Sequence, residues 1–130
     1  MAFKGGCYCG AVRFEAGDPS RLQALCSSRA FQTLTGWPDD LFLAVDEDTY
    51  RITRGEPAEF TRTDLPARPT RTFCGTCGTQ LAARSPRAPG LVLIRIGALE
   101  DPGQLQGPDV AHWTDDSQPF DLRPAVTKED

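Results

Sequence analysis

The chain is poor in basic charge, in histidine and in long apolar runs. Its Lys and Arg number 14 against 18 Asp and Glu, for a formal charge of −4. A nucleic-acid backbone needs a basic face, so this balance argues against such a partner. The arginines, from Arg13 to Arg95, are scattered and mostly alternate with apolar residues. They read as solvated strand faces, with the anchoring of an anionic small molecule as the other use. No apolar run exceeds the five residues Leu41–Val45, whereas a bilayer-spanning helix needs about 20. No membrane partner is expected. Met1–Gly6 carries no apolar leader core, so no secretory signal is expected. Cysteines in such a chain read as reduced thiols, and a cytoplasmic location follows as an expectation.

A sustained helical period is missing too. Eleven prolines and twelve glycines break the chain often, and no apolar 3.6-residue pattern persists. There is no internal repeat, no low-complexity stretch and no βαβ pattern. Short alternating runs take their place: Ala11–Glu15, Leu41–Val45, Tyr50–Thr53, Glu59–Arg62, Arg71–Phe73, Thr79–Ala83 and Leu91–Ile96. Leu41–Val45 is continuous enough to be buried. Turn residues such as Gly55-Glu56-Pro57 separate the runs, which predicts a mostly β domain of hairpins. Ser27–Leu34 is the expected short helix, and a second helical turn is expected after Glu100-Asp101-Pro102. At 130 residues the chain is one domain. That domain is expected over residues 1–122, with 123–130 as a flexible tail. Hydrophobic residues make up 39% of the chain, a modest supply for a core, and a metal cross-link would offset the shortfall.

Four of the five cysteines form close pairs, Cys7-Tyr8-Cys9 and Cys74-Gly75-Thr76-Cys77. Structural zinc takes four tetrahedral donors, usually thiolates, and two short-spaced pairs supply them with little loop strain. Glycine clusters at both pairs, at Gly5-Gly6, Gly10, Gly75 and Gly78, where tight turns around a metal demand it. Two disulfides or four unlinked core thiols are the competing readings, disfavoured by a reducing compartment and by the paired spacing. The expectation is one structural zinc on Cys7, Cys9, Cys74 and Cys77.

Gly5-Gly6-Cys7-Tyr8-Cys9-Gly10-Ala11-Val12-Arg13-Phe14-Glu15 resembles the opening of the glutathione-dependent formaldehyde-activating enzyme family, as does Phe73-Cys74-Gly75-Thr76-Cys77-Gly78-Thr79-Gln80-Leu81. Gly97–Pro102 and the spacing from Trp113 to Phe120 agree, so the resemblance covers about residues 3–122. It implies a β-tent fold of small antiparallel sheets around the zinc, with one or two short helices. It also implies carbon–sulfur lyase chemistry on glutathione adducts such as S-hydroxymethylglutathione. Family members carry a second zinc on a Cys-His-Cys-x-x-Cys segment. The matching stretch here is Ala24-Leu25-Cys26-Ser27-Ser28-Arg29. Of its three thiolates only Cys26 survives, with Ala24 and Arg29 in the outer places.

A catalytic zinc needs three protein ligands and an open position. One thiolate, neutral serine hydroxyls and a nearby cation do not supply them, so a second zinc is not expected. Holding one would require recruiting His112 and an aspartate, and His112 is shifted by one residue from the family's usual histidine. The cleft can still be a small-molecule site. Cys26 is then a candidate nucleophile, Arg29 an anion anchor, and Ser27 and His112 candidate catalytic groups. Ser28, Trp37 and Trp113 are candidate substrate contacts. Each has a plainer reading: Cys26 as a small buried hydrophobe, the serines as helix caps, His112 as a satisfied polar residue, and the tryptophans as packing. Three functions fit: an enzyme acting on a small metabolite without the second metal, a silent zinc-stabilised binding protein, or a glutathione-adduct enzyme with replacement ligands.

Overall fold

The computed structural model describes residues 3–17, 22–36, 40–105, 110–113 and 127–129, with the backbone alone for 22–27, 40, 104, 110–113 and 127–129. The described chain is mostly β, as the alternating runs predict. Strands β1 (Phe3–Gly6), β2 (Arg13–Ala16) and β5 (Arg51–Arg54) form a small antiparallel sheet in the order β1-β2-β5. The other strands among the described residues are β3 (Leu22–Ser27), β4 (Asp40–Asp46), β6 (Ala58–Thr61), β7 (Thr70–Phe73), β8 (Gln80–Arg84), β9 (Leu91–Arg95), β10 (Val110–Trp113) and β11 (Thr127–Glu129). They build an eight-stranded sheet ordered β11-β10-β3-β4-β9-β8-β7-β6. This sheet is larger than expected and not wholly antiparallel, because β10 pairs in parallel with both β3 and β11.

The only α-helix among the described residues, α1 (Arg29–Thr35), falls within a residue or two of the predicted one. Ser28 caps it, its hydroxyl accepting from the Phe31 N–H at 3.2 Å. A 3₁₀ turn at Pro102–Gln104 answers the second expected turn, with others at Glu47–Thr49 and Ile96–Ala98. No described helix is long and apolar enough to cross a membrane. The expected tail, 123–130, contains β11, and its other residues lie outside those described.

The two faces of the large sheet are occupied differently. Register partners share a face, and successive residues alternate. Leu43, Ile94 and Ala82 occupy one face, together with Val45 and Val92. They form the main core with Phe3, Val12, Phe14 and Ala16 of the small sheet and its turn. Phe42, Ala44 and Ala83 lie on the opposite face and are also buried. That face carries Arg71 as well, through the row Ala44, Leu93, Ala83, Arg71. The Arg71 guanidinium sits 4.5 Å from the Phe31 ring centroid, so α1 folds over this second face. Burial on both sides explains why β4 lacks the alternation of buried and half-buried residues seen in β2 and β9.

Candidate metal centre

The two cysteine pairs form matching turns. In the first, the Cys7 N–H donates to Val12 O at 3.0 Å and the Gly10 N–H to Cys7 O at 3.2 Å. In the second, the Cys74 N–H donates to Thr79 O at 3.0 Å and the Gly78 N–H to Cys74 O at 2.8 Å. Gly10 and Gly78 close these turns at the same positive φ of 82°, a conformation costly for any residue with a Cβ. The first cysteine of each pair is buried and the second exposed. Backbone N–H groups aim at the buried sulfurs: Val12 at Cys7 (3.2 Å), and Thr76 and Cys77 at Cys74 (3.4 Å each). Such bonds stabilise thiolate charge.

The β1–β2 hairpin and the β7–β8 hairpin bring the turns face to face. All four Sγ atoms lie within 4.8 Å of one another, with Cys7–Cys9 at 3.6 Å and Cys9–Cys74 at 3.8 Å. A tetrahedral ion with metal–sulfur bonds of about 2.3 Å requires sulfur–sulfur edges of about 3.8 Å. The donor set therefore fits a four-coordinate thiolate-bound ion. Its ionisations are uneven. The Thr79 hydroxyl, the Thr79 N–H and the Cys9 N–H pull Cys77 down to about 5. At Cys9 the Ala11 backbone bond pulls down, but Cys7, burial and the other two sulfurs together push it up to about 11. For Cys7 burial pushes up, yet the Val12 N–H and the bonds to Cys9 and Cys74 carry it below the usual range. Neighbouring thiols cannot all ionise together without a cation. A divalent ion relieves that conflict by replacing the protons. An ion held by all four sulfurs would have no position left open for a substrate.

Thr79 is a site residue that motif spacing does not reveal. Its hydroxyl accepts from the Tyr8 N–H at 3.1 Å and lies 3.1 Å from Cys77 Sγ. It can donate to that sulfur while accepting from the first turn, so one side chain ties both halves together. The only sequence signal was a small hydroxyl residue right after Gly78.

Apart from Trp37, the remaining candidate residues gather at one end of the large sheet. Cys26 and Ser27 end β3, and in the parallel register they face His112 and Trp113 of β10. On the β4 side, Cys26 is the partner of Asp40. Sequence distance hid these pairings. Ser28 is the helix cap described above. Arg29 is exposed and donates through Nη1 to the Oε1 of the buried Gln32 at 2.6 Å. Trp37 lies outside the described residues.

Fold and site together define a mostly β domain pinned by a candidate four-thiolate metal centre between two hairpin turns. The family model described as "Glutathione-dependent formaldehyde-activating enzyme" matches residues 2–116, and the chain belongs to that family. No curated protein gives a significant match to the sequence. Among solved structures, a crystal structure of a Rhodobacter sphaeroides protein is similar at a TM-score of 0.62 with 20% identity, over 75% of this chain and 87% of that one. At that identity the likeness speaks for the fold.

Proposed function

We propose that the chain is a zinc-stabilised enzyme of the formaldehyde-activating family with its chemistry moved off the metal. One zinc on Cys7, Cys9, Cys74 and Cys77 clamps the hairpins together and takes no part in the reaction. The reaction is carbon–sulfur chemistry on a small thiol adduct of an aldehyde, and the family's description makes glutathione the first thiol to try. It is centred on Cys26, with Ser27, Arg29 and His112 as further candidate groups and Ser28, Trp37 and Trp113 as candidate substrate contacts.

The observation that carries this reading is the register of β3 and β10, which makes Cys26 and His112 direct neighbours across the sheet. The test combines elemental analysis with turnover of a formaldehyde–glutathione mixture by wild type and Cys26→Ser. One zinc per chain and turnover lost in Cys26→Ser are expected. Two zinc atoms in the wild type and one in the variant would mean a second metal site with replacement ligands instead.

A binding-only reading has one observation in its favour. Ser28 and Arg29 both serve α1, one as its cap and the other bonded to Gln32. Under that reading, small-molecule binding survives without turnover in every condition.

A further inference from the structure

The register of the large sheet places four reactive residue types side by side. Glu129 on β11 is the partner of His112 on β10, His112 of Cys26 on β3, and Cys26 of Asp40 on β4. These are four consecutive strands, spaced about 4.8 Å apart. The row lies at the end of the sheet from which α1 leaves β3 and to which the chain returns at β4. It occupies the face of Phe42 and Ala44, the one over which α1 folds, because Asp40, Phe42 and Ala44 alternate in step along β4. The main core lies on the other side, so the row belongs to a second centre, separate from the four-sulfur cluster.

We infer that Cys26, His112 and Glu129 form a nucleophile, base and positioning carboxylate in strand order, with Asp40 at the register position on the other side of Cys26. The order is the physical point. A thiol needs a base within reach, and a base needs an orienting acceptor on its other side. Here the histidine position stands between the cysteine and glutamate positions in the register. Each comes from a different strand, and the parallel pairing of β10 with both β3 and β11 supplies the alignment. The inference deepens the proposed function by naming how Cys26 acts there.

The substrate class is a small free aldehyde, which its thiol adduct releases when the C–S bond breaks and the hydroxyl proton passes to the departing thiol. The Cys26 S–H proton passes to His112 while sulfur attacks the carbonyl carbon. The C=O π pair moves to oxygen, which recovers the proton from His112. The product is a hemithioacetal on Cys26, formed by addition alone, with no oxidant, reductant or further reactant.

The experiment uses the zinc-loaded full chain and iodoacetamide as the probe. Labelling at each cysteine is followed by peptide mass spectrometry between pH 6 and pH 9, with Cys26→Ser as the site control. Cys26 is expected to label with a midpoint below the ordinary thiol value of about 8.5. The midpoint is expected to return to that value in His112→Asn and to move part of the way in Glu129→Gln. At pH 7 the His112→Asn rate should fall about tenfold. Asp40→Asn is expected to keep labelling fast, since it removes a negative charge beside the thiol.

An ordinary midpoint in the wild type overturns the inference, and that reading needs no variant to fold. So does a second zinc that is lost in His112→Asn and Asp40→Asn, which would make the row a metal site. Turnover unchanged in Cys26→Ser removes the row while leaving the family chemistry standing. A depressed midpoint without any turnover keeps the row and removes the proposed function.

Discussion

The Tyr8 N–H donates to the Thr79 hydroxyl at 3.1 Å across 71 residues of sequence. This bond joins the two cysteine turns independently of any ion, and the same hydroxyl lies against Cys77 Sγ. Preorganisation of the metal site therefore rests partly on one threonine. Thr79→Ala is expected to lower stability by about 1 kcal/mol and to weaken zinc binding, while Thr79→Ser keeps both. Competition with a chromophoric chelator checks the affinity, and urea unfolding checks the stability.

Removal of the proposed zinc is expected to have a larger effect. Cys7 and Cys74 belong to the main core cluster, so the metal clamp and the core are one unit. Exhaustive chelation is expected to cost about 3 kcal/mol or more and to lower Tm by roughly 10 °C or more. Cys74→Ala should show the same loss without chelator. An unchanged melting curve after confirmed metal removal would refute the clamp.

Gly55 separates backbone strain from steric conflict. It links β5 to β6 at a φ of 75°, and a Cβ there would lie 2.1 Å from the Ala11 carbonyl oxygen. Gly90 has a similar φ of 80° with open space around it. Gly55→Ala is expected to cost about 3 kcal/mol and Gly90→Ala about 1 kcal/mol. Equal losses in chemical denaturation would contradict the close packing of that turn against Ala11.

Tyr50 makes stability sensitive to alkali. Burial pushes its hydroxyl up to about 12, against an opposing pull from Arg84, whose guanidinium carbon lies 5.9 Å from the ring centroid. An acid whose folded pKa is raised favours its protonated form in the folded state. The contribution is therefore complete below the unfolded value near 10 and is lost as pH rises toward 12. Between pH 9 and pH 11 the wild type should lose about 1 kcal/mol more stability than Tyr50→Phe. Urea midpoints of the two proteins across that range measure the difference.

Much of the fold was legible because its signals are local. The turns around Cys7-Tyr8-Cys9-Gly10 and Cys74-Gly75-Thr76-Cys77-Gly78 are set by residues within a few positions of each other, and both closed as their glycines required. Strands β4 and β9 showed in their apolar content and α1 in the serine ahead of it. By contrast, β1 is short and ends in two glycines, β3 lacks a clean alternation, and β10 is a four-residue segment. Their strand character comes from their neighbours in the sheet.

The sequence by itself determined the family, the four metal-ligand candidates and the one cysteine, Cys26, outside the two pairs. All of these follow from residue identity and short spacing. Only the tertiary structure decided that Cys26 stands between His112 and Asp40, with Glu129 beyond. Such neighbours are chosen by which strands pair, in which direction and in which register. Those choices depend on burial across the whole sheet, and a shift of one residue would turn His112 to the opposite face.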